Sequence, residues 1–219
     1  ELFESYGFRV AVLARLPREM ESASYYDPAN GNAFFFLNGA LNAERLLFRL
    51  AYELGHLYLV TADLLGWPAA KGEGVLDARH AAMKFAAFFL MPEAAVRALV
   101  AQVGVKPDEW TESMLFRLKH RFGVSTESFL YRLNELALIE PLRSARLKRT
   151  IHGYYARTGF KEPDDSRRVM TVNGRIRDLL EIAQFRAVPP AQVEKWTALF
   201  RKHCLAARFR GPVLGEPEE

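Results

Sequence analysis

The sequence predicts an α+β fold, predominantly α, in which a small N-terminal β-sheet packs on a long helix and further helices follow. Three observations carry that expectation. Before residue 38, three short apolar and aromatic runs are separated by turn chemistry, the pattern of short strands. From Ala43 onward Leu46, Leu47, Leu50, Leu54 and Leu57 recur every three to four residues, which is the helical period. Beyond residue 75 the chain reads as one helix after another, punctuated by Pro and Gly. With 219 residues, 50% of them hydrophobic, it can bury a real core as one domain or as smaller units.

Residues 1–6 read as the end of a helix closed by Gly7, and residues 8–13 as a first strand. A polar turn over 17–22 leads to a short aromatic strand at 23–26. Asp27-Pro28-Ala29-Asn30-Gly31 then turns the chain into a strand at 33–37. Phe34 to Phe36 at its centre predict burial on both faces. Asn42 is placed to cap the long helix, without a capping box because Arg45 stands at the third helical position. A loop over 66–74 precedes a second long helix over 75–91, stopped by Pro92. Helices follow over 92–103, 111–121 and 125–136, the last capped by Ser125, and then over 142–156. The polar stretch 159–168 is the expected linker. A short strand at 169–172, helices at 174–186 and 191–206, and a disordered tail at 211–219 complete the chain. Trp196 and Phe200 are expected packing anchors one helical turn apart. Three units are expected: 1–105, 106–160 and 161–219.

Inside the long helix, Tyr52-Glu53-Leu54-Gly55-His56 has the spacing of H-E-x-x-H, with tyrosine where the first histidine belongs. In the full motif two imidazoles one turn apart hold Zn²⁺, and the Glu between them polarises the metal-bound water. Here the catalytic base Glu53 and the second ligand His56 are present. The wider phrase Phe48, Leu50, Ala51, Glu53 to Leu57 and Leu59 is similar to the active-site helix of the ImmA/IrrE family of metallopeptidase-like proteins. Ala33 to Asn38 resembles the strand and Asn ahead of that helix. Ala82 to Pro92 (AMKFAAFFLMP) resembles the family's second helix, AN-x-FAA-x-LLMP. The three blocks lie in order over residues 5 to 92, and a looser similarity runs on to 157. The resemblance implies a zincin-like active-site helix. It also implies kinship with proteins that cleave repressors in stress or mobile-element regulation, often beside or fused to a helix-turn-helix repressor.

The departures matter as much as the matches. The family's third zinc ligand, a Glu before the Ala-Asn pair, corresponds to Ala81, and the Asn corresponds to Met83. Substitute ligands would be His80, next in sequence, or Asp77, one turn earlier on the face of position 81. His80 lies ~100° around the helix from that position and would need a helix rotation to reach His56. Tyr52 could ligate only as phenolate, and a phenol ionises near pH ~10 in water. The expected picture is a degenerate site with zinc absent or weakly held. In it a buried Tyr52 fills the old ligand hole and hydrogen bonds Glu53 or His56.

Residues 121–139 (RFGVSTESFLYRLNELALI) have the outline of a helix-turn-helix and resemble the segment that follows the peptidase helices in the same family. Its second helix offers Thr126, Glu127, Tyr131 and Asn134, with Arg132 as its one cation, a poor set for reading bases. A packing hairpin is the expectation. From Arg117 to Arg157 there are nine Lys or Arg against three Glu, a net +6, with Arg146, Lys148 and Arg149 expected on an exposed helix face. They would meet a phosphate backbone or an acidic partner.

The whole chain carries a formal +4, too mild to identify a nucleic-acid binder. The single cysteine, Cys204, excludes an internal disulfide and a cysteine-based zinc site, and fits a reducing cytoplasm. No apolar run reaches the ~20 residues of a membrane span and no signal peptide opens the chain. Opening on Glu1, it reads as a processed product or a piece of a longer protein. Three functions are expected, in this order. The first is a non-catalytic binding or sensing module for a repressor, another regulatory protein or a small effector. The second is a zinc metallopeptidase using His56, His80 or Asp77, and Tyr52, with Glu53 as base. The third is a DNA-binding regulator using residues 111–157.

Overall fold

The computed structural model describes residues 2–14, 16–17, 19–61, 77–159, 170–171, 173–204 and 208–209. The expected loop at 66–74 and tail at 211–219 lie outside them, as does the expected linker at 159–168 apart from Gly159, which caps the helix before it. The chain runs through α1 (Leu2–Ser5), β1 (Arg9–Leu13), β2 (Ser22–Asp27), β3 (Asn32–Asn38), α2 (Ala43–Thr61), α3 (Ala78–Leu90) and α4 (Glu93–Val103). It continues through α5 (Glu112–Leu118) with a 3₁₀ turn (Lys119–Arg121), α6 (Thr126–Glu135) and α7 (Pro141–Thr158). Last come β4 (Met170–Thr171), α8 (Gly174–Phe185), α9 (Pro190–His203) and β5 (Arg208–Phe209). The fold is α+β and mainly α, as the sequence predicts.

The three-stranded sheet has the order β1-β3-β2, with β1 parallel to β3 and β2 antiparallel to it. The β2–β3 turn is made by Asp27, whose carboxylate accepts the Ala29 N–H at 3.0 Å, and by Gly31 at φ +64°, a conformation that favours a residue without Cβ. In β3, Ala33, Phe35 and Leu37 are buried, while Phe34 and Phe36 are only half-buried. The expectation of burial on both faces is therefore corrected. The buried side belongs to one cluster with Val12, Leu46, Leu50 and Leu57. The opposite face carries a partial cover in which Tyr25 packs against Phe34 at 6.2 Å between ring centroids.

The caps follow the local signals. Asn42 accepts the Arg45 N–H at 2.8 Å, and Ser125 accepts the Ser128 N–H at 3.2 Å. Gly104 and Gly159 end α4 and α7 in the left-handed region. Helix α2 lies between the sheet and α3. Its Ala51 and Tyr52 are buried against Ala82 and Ala86. A Cβ added to Gly55 would stand 2.6 Å from the Phe85 ring and 2.9 Å from Phe85 Cβ, so the glycine permits the close approach of the two helices.

A larger cluster gathers Met91, Trp110, Leu115, Phe129, Leu133, Ile151 and their neighbours from the end of α3 through α7. It is tied to α2 by a buried ion pair, Lys119 Nζ to Glu44 Oε1 at 2.6 Å. The C-terminal helices attach at the other side of the sheet. Val12 N–H donates to Asn173 Oδ1 at 2.7 Å and Asn173 Nδ2 donates to Val12 O at 2.9 Å, so one amide side chain pairs with the outer edge of β1.

Candidate functional site

Helix α2 carries Tyr52, Glu53 and His56, with Glu53 turned to the start of β2 and Tyr52 packed against α3. Glu53 is buried and its Oε1 accepts the Ser22 hydroxyl at 2.6 Å. The expected catalytic carboxylate is thus held by a strand hydroxyl, a partner that sequence reading missed because Ser22 is 31 residues away. Tyr52 is buried at 8% exposure. Its ring stacks on the His56 imidazole with centroids 6.0 Å apart and planes 12° from parallel, while the Arg49 guanidinium lies over the tyrosine at 5.2 Å. Arg49 and Arg45 both pair with Glu21, which fastens this face of α2 to the entrance of β2. Tyr52 does fill the space beside His56, but by stacking. The hydrogen bond expected from it to Glu53 or His56 is replaced by the Ser22–Glu53 bond and the ring contact. His56 Nδ1 is buried and has no hydrogen-bond partner among the described residues.

The substitute ligands fall elsewhere. Asp77 caps α3, its carboxylate accepting the Arg79 N–H at 3.1 Å. His80 is exposed and lines a cavity of about 700 Å³ between α3 and α6, together with Phe48, Met83, Lys84, Tyr131 and Asn134. Its angular offset from position 81, legible in the helical period, is what sends it there. Position 81 is a half-buried alanine. Among the described residues no three His, Cys, Asp or Glu side chains come together to hold a metal ion. A catalytic zinc takes three protein ligands, and the described donors, Glu53 and His56 beside a stacked phenol, do not make that set.

The second region singled out by sequence is also reshaped. Arg132, the one cation of the second helix of the expected hairpin, is buried, in keeping with a packing role. Its Nε donates to Met91 O at 3.0 Å, its Nη1 to Glu135 at 2.7 Å, and its guanidinium covers the Phe88 ring at 4.4 Å. It closes the end of α3 and is turned away from solvent. On α7, Arg146 and Arg149 are exposed, whereas Lys148 folds over the Tyr131 ring at 4.7 Å and donates to its hydroxyl. That contact raises the Lys148 pKa above the usual lysine value. The three α7 cations are therefore two open charges and one engaged on α6. Among the described residues no single helix is long and apolar enough to cross a membrane.

Comparison with known proteins adds three findings. The family model for the IrrE N-terminal-like domain, of the M78 peptidases, matches residues 5–134. No curated protein matches the chain. A Mycobacterium tuberculosis transcriptional regulator of known structure is similar at 23% identity with a TM-score of 0.42, over 60% of this chain. The chain spans 38% of that regulator's length.

Proposed function

Because the chain belongs to the family of the IrrE N-terminal-like domain, we propose that it is a regulatory protein whose peptidase-like site binds a partner without cleaving it. The observation that carries the reading is Tyr52, buried at the first-ligand position between Arg49 and His56. Glu53, the base that a metal-bound water would need, is buried and accepts the Ser22 hydroxyl on one carboxylate oxygen. The partner is a repressor or other regulatory protein, and the place for it is the outer edge of β2. That strand ends the sheet, with no strand beyond it among the described residues, and Ser22 opens it. An extended segment added there would use main-chain hydrogen bonds for affinity and Tyr25, exposed on that strand, for contact.

Burial of Arg132 counts against base reading by α6. The reading is tested by elemental analysis of protein purified without chelator, beside a Tyr52→His, Ala81→Glu variant. The expected result is substoichiometric zinc in the natural sequence and about one equivalent in the variant. One equivalent of zinc in the natural sequence, lost on His56→Ala, would overturn the proposal and restore a metallopeptidase.

A further inference from the structure

Helices α8 and α9 pack against each other as a hairpin. Between them lies an apolar cleft of about 410 Å³, with Ile176, Leu179 and Leu180 on one wall and Trp196, Leu199 and Phe200 on the other. Leu180 and Phe200 are half-buried, whereas Leu179, Trp196 and Leu199 stand at the mouth with more than two-fifths of their surface in water. Its base is rigidly placed. His203 O accepts the Ala14 N–H at 2.9 Å, and Cys204 bridges to Leu13, so the end of α9 is stitched to β1.

The charges around the cleft are sorted by side. At ~100° per residue, Arg175 and the α8-terminal Arg186 fall beside Leu179, and Lys195 and Lys202 fall beside Leu199. All four are exposed, and none has an ion pair or hydrogen bond to a described residue. Of the hairpin's carboxylates, Glu194 lines a different cavity with Gln184 and Arg201, Glu181 lies ~160° around α8 from Leu179, and Asp178 lies ~100° from it. This contrasts with the N-terminal part, where Glu21, Glu44 and Glu53 all have basic or hydroxyl partners.

We infer that this cleft docks an acidic amphipathic helix of a partner protein. Its apolar row would enter between Leu179 and Leu199, and its flanking carboxylates would meet the four rim cations. A second copy of the chain is the poorer occupant, since a two-fold interface would bring like rims together. A lipid surface offers no row of side chains to fill a concave cleft.

The test uses the whole chain and a 14-residue helical peptide with Leu and Phe at i, i+3, i+4 and i+7 and Glu on both flanks. Binding is followed by fluorescence anisotropy and by the blue shift of Trp196, compared with the same titration of Trp196→Phe. The expected result is saturable binding that weakens at least tenfold when the flanking Glu are replaced by Lys. It also weakens at least tenfold in Arg186→Glu, Lys195→Glu and in Leu179→Gln, whose circular dichroism matches the natural protein. The inference would be overturned by equal binding of both peptides, by binding unchanged in the correctly folded variants, or by partition of the chain onto phosphatidylglycerol vesicles with no peptide binding. A stable dimer in sedimentation, dispersed by Leu179→Gln and blind to the peptide, would overturn it in favour of self-association.

Discussion

The two ends of the molecule treat charge in opposite ways. Around α2, ionic groups are consumed internally: Glu21 by Arg45 and Arg49, Glu44 by Lys119, Glu53 by Ser22. Around the α8–α9 cleft four exposed cations have no ion pair or hydrogen bond to a described residue. Charges satisfied within the fold hold its parts in place, because a buried ion stripped of its partner costs far more than an exposed one. Charges left open at the rim of an apolar cleft contribute almost nothing to stability and are available to a partner. The difference teaches where to look for structure and where to look for recognition.

The sharpest way to break this comparison is to remove one cation from each end. Lys119→Met leaves Glu44 buried without its ammonium partner, with His120 Nδ1 at 3.7 Å. It should lower unfolding free energy by about 3–5 kcal/mol in urea titrations. Lys195→Met on the hairpin should change it by less than ~0.5 kcal/mol. Comparable losses at the two sites would mean that the hairpin cations are also structural, and the contrast would fail.

A smaller effect probes how the old active-site helix is held. Gly55→Ala gains roughly 1 kcal/mol of helix propensity but drives a methyl into the Phe85 side chain. Overpacking of this kind costs about 1–3 kcal/mol, so a net loss of about 0–2 kcal/mol is expected. Because Phe85 is the obstacle, the double variant with Phe85→Ala should lose less than the two single changes added together. Simple additivity would show that α2 and α3 give way at Gly55 without strain.

What could be read in the sequence was what is local. The leucine period of α2, the caps at Asn42 and Ser125, the turn at Asp27 to Gly31 and the Pro92 stop each depend on neighbours within a few residues. The offset of His80 from position 81 was legible for the same reason. Contacts between distant segments were not. Nothing near Lys119 points to Glu44, 75 residues earlier, and nothing in Asn173 announces that its amide caps Val12 across 161 residues. The partner of Arg132 was not legible either, because its acceptor, Met91 O, is 41 residues away. The site shows both sides of this. Its residues were found by spacing, but the choice of Tyr52 to stack on His56 depends on Arg49, Ala82 and Ala86 closing over it.

The smallest effect lies between the two extremes, on α7. Lys148 is engaged with Tyr131, yet both are accessible to solvent. The phenol accepts the ammonium proton, and the pair's interaction with it, helped by Glu127, lifts the Lys148 pKa above its usual 10.5. A folded-state value above the unfolded one means that the stabilisation is complete below the unfolded pKa. It fades as pH rises through the folded value, so it should vanish only in strongly alkaline solution. Tyr131→Phe removes the acceptor but keeps the ring under the ammonium. Its expected signature is a lower Lys148 pKa by NMR titration of the side-chain carbon, with little change in stability at neutral pH. An unchanged pKa would mean that Lys148 swings free of α6, leaving all three α7 cations open. The phosphate-contact reading of Arg146, Lys148 and Arg149 would then regain its third charge.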